Sequence, residues 1–224
     1  MHSSKTPFST LFVAILSISF LFSGKAQALQ QNDDFMTLTI LGAVGSLGLA
    51  CSQGKAPCAF EPGVNLEKLS ISLDQGSDLS AKHISLSVGA NWIEPVYTAE
   101  SWEVVGRLEG RLHHWWSTLD EPLNKSGLML GITPVFQYQP KDYTFGNSSI
   151  FPFVEMGGGP YLMDDIIFEN ENKRTQFQFG SILGLGIKGK QFEATFRYLH
   201  ISNAGIEMPN PGVDFHSLHI GYYF

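Results

Sequence analysis

From about residue 66 to the C-terminus, apolar and polar side chains alternate in repeated stretches. Leu69, Ile71 and Leu73 are interleaved with Lys68, Ser70 and Ser72. Ile84, Leu86, Val88, Ala90 and Trp92 alternate with His83, Ser85, Ser87, Gly89 and Asn91. Trp102, Val104, Leu108 and Leu112 oppose Glu103, Arg107, Glu109 and Arg111, and Leu128 to Phe136 continues the alternation against Gly131, Thr133 and Gln137. Further stretches follow at 154–157, 176–188, 192–198 and 217–224. A period of two sends successive side chains to opposite faces of an extended chain. The pattern predicts eight strands, each with one apolar and one polar face.

A soluble sandwich turns its apolar face inward, whereas a transmembrane barrel turns it toward lipid and keeps polar groups in the lumen. The strands favour the barrel, because many reach about ten residues, the length of a tilted membrane span. The polar faces carry Glu103, Arg107, Glu109, Arg111, Glu155, Glu193 and Arg197, charges able to pair inside a narrow lumen. Trp92, Trp102, Trp115, Trp116, Tyr138, Tyr161, Tyr222, Tyr223 and Phe224 gather toward strand ends, as interfacial girdles do. His113 and His114, beside Trp115 and Trp116, read as part of a girdle. The fold expected is all-β, an eight-stranded antiparallel transmembrane β-barrel over residues 63–224. Ending on Phe224 after an alternating strand resembles the terminal signature of bacterial outer-membrane proteins.

Outside the strands, Lys5 precedes an apolar run from Leu11 to Phe22 and a small-residue site at Ala26-Gln27-Ala28. This reads as a signal peptide over residues 1–28. A second apolar run, Met36 to Ala50, lacks a basic start and has Gly48 where a lipobox wants Leu, so it is not a lipoprotein signal. The segment 29–62 holds Cys51 and Cys58, the chain's two cysteines. Two cysteines this close in an exported chain favour a local disulfide over a metal site. The net charge of −7, with only 16% charged residues, argues against a nucleic-acid partner, which would want a basic stripe. Phosphate-loop, HExxH and EF-hand patterns are lacking, and "EMGGGPY" at 155–161 reads as close backbone approach within a strand.

The chemistry gathers near the C-terminus. His200 and Ser202 share the apolar-face parity of Phe192, Ala194, Phe196 and Tyr198, and Asp214 shares that of Leu218, Ile220 and Tyr222. Gly205, Pro209, Asn210, Pro211 and Gly212 supply turn chemistry between them. A hairpin therefore brings Asp214 beside His200, with all three residues facing outward. An even barrel has both termini in the periplasm, which places the trio at the outer interface. There Ser202 can act as a nucleophile, with His200 as base and Asp214 orienting it. Asn203 or the N–H of Gly205 can face a developing oxyanion. Two residues along a strand is a long reach, so a bulge near Ser202 is expected. Glu207 is a rival acid within the loop. On spacing alone, His-x-Ser also fits incidental decoration of an interface.

These residues resemble a known family. "FRYLHISNAG" followed by "PNPGVD" is similar to the C-terminal motif of the PagL-type lipid A 3-O-deacylases: His-x-Ser-Asn-Ala-Gly, Pro-Asn-x-Gly, then an acid. The matching positions are His200, Ser202, Asn203, Ala204, Gly205, Pro209, Asn210 and Gly212, with Asp214 where the family commonly has Glu. "IFPFVEMGGGPYL" and "TPVFQY" resemble further strands of the family. The resemblance covers roughly residues 82–224. It implies a serine esterase in the bacterial outer membrane, facing the outer leaflet, that removes the ester-linked 3-hydroxyacyl chain at position 3 of lipid A. It implies catalytic roles for His200, Ser202 and Asp214, an oxyanion site at Asn203 and Gly205, and no cofactor or metal. Its partners would be lipopolysaccharide as substrate and outer-membrane lipid, without nucleic acid, and a homodimer stays open. The competing readings are a non-enzymatic structural or adhesion barrel and a ligand-carrying barrel. The charged inward set argues against the latter, since eight strands leave little room in the lumen.

Overall fold

The computed structural model describes residues 63–141 and 150–224, with ten of the positions from 41 to 54. The expected signal peptide and Cys58 lie outside the described residues. Cys51 is disulfide-bonded. Eight long strands are present: β1 (Val64–Ser77), β2 (Ala81–Trp92), β4 (Trp102–Ser117), β5 (Ser126–Pro140), β6 (Phe151–Met163), β9 (Phe177–Lys188), β10 (Phe192–Ser202) and β11 (Val213–Tyr223). Three two-residue strands, β3 (Tyr97–Thr98), β7 (Ile167–Phe168) and β8 (Glu171–Asn172), complete the set. Each long strand pairs antiparallel with its neighbours in sequence, and β1 closes on β11. The result is the expected eight-stranded barrel, with β3 as a spur on β4.

The two faces sort as the alternation requires. Leu73, Leu86, Leu112, Ile132, Leu185, Phe196 and Ile220 stand exposed on the outer wall. Asp74, Arg107, Glu109, Arg111, Glu155, Glu193 and Arg197 are buried inside it. This is the inverse of a water-soluble protein and the signature of a barrel that spans lipid.

The lumen is filled rather than open. Arg107 pairs with Glu109 and Glu193, each at 2.7 Å, and Arg111 meets Asp74 at 3.0 Å. Arg197 bridges Glu109 at 3.1 Å, Asp74 at 3.4 Å and Glu155. His219 lies between Asp74 and Glu193, at 3.1 and 3.0 Å. Charges buried this way are tolerated because each is paired several times, and removing one member strands its partners. Arg197→Met should therefore cost about 3–5 kcal/mol of stability, since three carboxylates lose a shared cation. The test is a lowered denaturation midpoint of the folded barrel.

Several aromatics assigned to the girdles turn inward instead. Trp115 and Tyr161 are buried in the interior cluster. Tyr223 donates to Glu193, and Arg107 donates to its hydroxyl. His113 packs inside against His83 and Tyr161, while His114 faces out beside Trp116. An aromatic near a strand end has only parity to place it, and in these residues parity overrides the girdle. The described residues between 41 and 52 are helical. The Ser46 hydroxyl bonds the Tyr138 hydroxyl, and Leu49 packs on the outer-wall cluster of Trp92, Val96, Val104 and Phe136.

At the rim away from Phe224, the hairpin β7–β8 folds into the barrel mouth. Phe168 is buried against Trp115, with ring centroids 4.1 Å apart. Glu169 accepts hydrogen bonds from Ser80 at 2.5 Å and Ser117 at 2.6 Å. This cap closes the lumen beside the turn that links β10 to β11.

Candidate active site

The register of β10 against β11 places His200 directly opposite Asp214. Directly opposed residues hold their Cβ atoms only about 5 Å apart. His200 Nδ1 and Asp214 Oδ1 are accordingly 2.6 Å apart, on the outer wall. Their side chains are 15% and 22% exposed, so the pair is half sheltered but reachable from outside. A second donor, the Tyr198 hydroxyl, reaches the same Asp214 oxygen at 2.7 Å. With Nδ1 turned to the carboxylate, Nε2 is left as the ring's other working atom.

Asp214 stands where the family commonly has Glu. Facing His200 across the ladder, the shorter carboxylate already meets the ring. Its surroundings are acidic, because Asp78 in the β1–β2 turn lies close by. Burial foremost lifts the Asp78 carboxyl above the usual carboxylate range; the N–H of Leu79 opposes this and the Asp214 charge adds to it.

Ser202 lies two residues beyond His200 on the same face, an advance of about 6.6 Å along the strand. It is 6% exposed. The bulge expected here is absent: β10 keeps its register with β9 through Ser202, which pairs with Phe179. The chain turns only afterwards, with Ala204 and Gly205 both in the left-handed region at φ 53° and 80°.

Asn203 and Gly205 hold that turn together. The Asn203 side chain donates to the Glu207 carbonyl at 2.8 Å and the Lys173 carbonyl at 3.3 Å. Its oxygen accepts from Gly205 N–H at 2.8 Å, and its own N–H donates to Asn210 Oδ1 at 2.9 Å. Either donor must therefore exchange a loop acceptor to serve an oxyanion. Glu207 enters through its backbone carbonyl, within an exposed stretch of the turn. His216 lies outward on β11, its ring stacked near Phe196 and Tyr198.

Sequence reasoning gave Tyr198 and Lys173 no part in the site, and gave Gly212 only a place in the turn and its motif. Tyr198 reads as one more lipid-facing aromatic, and only its place two residues before His200 signals a shared partner. Lys173, buried in the cap, donates to the carbonyls of Pro211 at 3.0 Å and Gly212 at 3.1 Å. It ties the turn between β10 and β11 to the barrel mouth. Gly212 reads as turn chemistry, yet a Cβ there would lie 2.5 Å from His200 Cε1. Gly212→Ala should therefore push the ring aside and slow turnover up to about 100-fold, the cost of an ångström-scale misplacement. Steady-state rates on an intact barrel check this.

The arrangement is a histidine oriented by a carboxylate, a serine on the same face, and a lipid-facing approach. Residues 82–223 match the family model of lipid A 3-O-deacylase (PagL). The chain belongs to this family. It is 27% identical over 165 residues to lipid A deacylase PagL of Pseudomonas aeruginosa, covering 68% of this chain and 90% of that protein. It is 37% identical over 73 residues to lipid A deacylase PagL of Bordetella bronchiseptica, covering 32% of this chain and 41% of that one. The crystal structure of the outer membrane enzyme PagL has the same fold, with a TM-score of 0.60 at 22% identity, covering 68% of this chain and 97% of that one. The match begins within the barrel, so the helical residues described between 41 and 52 lie outside the part matched to the PagL family model.

Proposed function

We propose that this outer-membrane barrel is a serine esterase that removes the ester-linked 3-hydroxyacyl chain at position 3 of lipid A. The observation that carries the reading is the His200–Asp214 pair on the lipid side of the wall, beside Ser202 and at the rim opposite Phe224. His200 Nε2 takes the Ser202 proton as Oγ attacks the ester carbonyl. Asp214 holds the ring through Nδ1 and stabilises the imidazolium, and Tyr198 fixes the carboxylate. Collapse of the tetrahedral intermediate breaks the bond to the oxygen at position 3, which receives the proton from His200. Water then attacks the acyl-enzyme with His200 as base, releasing the 3-hydroxy fatty acid and restoring Ser202. Asn203 and Gly205 are assigned to the oxyanion, at the expense of their loop bonds.

The test is mass spectrometry of lipid A from cells with and without the protein. The expected result is loss of one 3-hydroxyacyl mass, with the free 3-hydroxy acid recovered. Unchanged lipid A in cells carrying the correctly inserted barrel would leave it a structural or adhesion protein.

A further inference from the structure

The outer wall carries a second serine beside the catalytic pair. Ser181 on β9 is the direct cross-strand partner of His200, and so lies on the same face. Opposed Cβ atoms are about 5 Å apart, closer than His200 and Ser202 along one strand. Ser181 is 8% exposed, and its hydroxyl has no hydrogen-bond partner among the described residues. A buried hydroxyl left unpaired is unfavourable, so a polar group kept in that state beside the His200 ring has an unmet partner. On the far side of Ser181 the ladder continues to Gly158. That glycine has no side chain of its own to pack beside the hydroxyl.

We propose that Ser181 is a further catalytic residue, whose O–H donates to the oxyanion formed when Ser202 attacks the ester. The proposal rests on the reading of Ser202 as nucleophile. Ser181 and Ser202 are diagonal neighbours on one face, with Cβ atoms about 7 Å apart. That span fits a carbonyl carbon bonded to Ser202 Oγ with its oxygen turned toward Ser181. The donors of Asn203 and Gly205 are spent on the turn, whereas that of Ser181 is unspent. A donor with nothing to give up requires no rearrangement as charge develops, the condition under which such groups accelerate most.

The experiment compares Ser181→Ala, Ser181→Thr and Ser181→Val with the unaltered enzyme in outer-membrane vesicles, using lipid A as substrate. Threonine and valine have the same shape and both suit a strand, so their difference isolates the hydroxyl even if the alanine variant inserts poorly. Ser181→Ala and Ser181→Val should lose about 100- to 1000-fold in kcat with KM nearly unchanged. Ser181→Thr should stay within about ten-fold of the unaltered enzyme, since it keeps the donor. A fluorophosphonate, which phosphonylates an activated serine with loss of fluoride, should mark Ser202 in the unaltered protein. Equal rates for the threonine and valine variants, or a rise in KM with kcat retained, overturn the oxyanion role while an inactive Ser202→Ala leaves the esterase reading standing. An active Ser202→Ala removes that reading itself, and a label on Ser181 makes Ser181 the nucleophile and overturns both assignments.

Discussion

Ser202→Ala should abolish release of the 3-hydroxy acid, a loss on the order of a million-fold in kcat if the residue acts as other serine nucleophiles do. The alanine leaves Asp214, His200 and the lumen untouched, so the barrel should insert normally. Ser202 ends its strand, pairs only with Phe179 across β9, and contributes nothing to the ion pairs of the interior. His200→Asn should be equally inactive. His216 is the other outward histidine nearby, but it packs against Phe196 and Tyr198 on the neighbouring strand. The measurement is lipid A mass spectrometry on vesicles with matched amounts of folded protein. Near-normal deacylation by the alanine variant would rule out the serine mechanism.

Asp214→Asn should lose about ten-thousand-fold in kcat, the scale seen when the orienting acid of a triad becomes an amide. An amide opposite Nδ1 is neutral and can present N–H where the ring needs an acceptor, so the imidazolium is no longer stabilised. Asp214→Glu is the informative companion. The family commonly carries Glu at this position, but here the carboxylate already meets His200 at 2.6 Å across the ladder. The longer side chain must fold back to keep both His200 and Tyr198, and an intermediate rate is expected. Single-turnover rates separate the two variants, and an asparagine variant as fast as the native enzyme would remove Asp214 from the site.

Much of the architecture was legible because a lipid-facing barrel writes its two faces into alternate residues. The parity that sends Phe196 outward also sends Arg197 inward, and the structure follows it strand by strand. The same count put His200, Ser202 and Asp214 on the outer face and paired the last two strands across the right turn. It could not resolve what pairs with what inside the lumen, because alternation says only that Arg197 points inward, not that it meets Asp74, Glu109 and Glu155. Trp115 and Tyr161 were misread because proximity to a strand end was weighed above parity. Lys173 and the β7–β8 cap carried no periodic signal, being loop residues whose role depends on a fold-back of the chain into the mouth. The bulge near Ser202 was inferred from reach alone, and the chain instead bends two residues later, at Ala204 and Gly205.

The packed interior has a consequence for the cell rather than for the reaction. A porin-like enzyme would add an aqueous leak with every copy inserted. Here arginines and carboxylates occupy the lumen, and Phe168 and Glu169 sit across its mouth. Expression can therefore rise without weakening the membrane's barrier to small hydrophilic solutes. Abundance of the protein is thus uncoupled from permeability, and a cell that makes more of it alters its surface lipid without becoming more open to polar toxins.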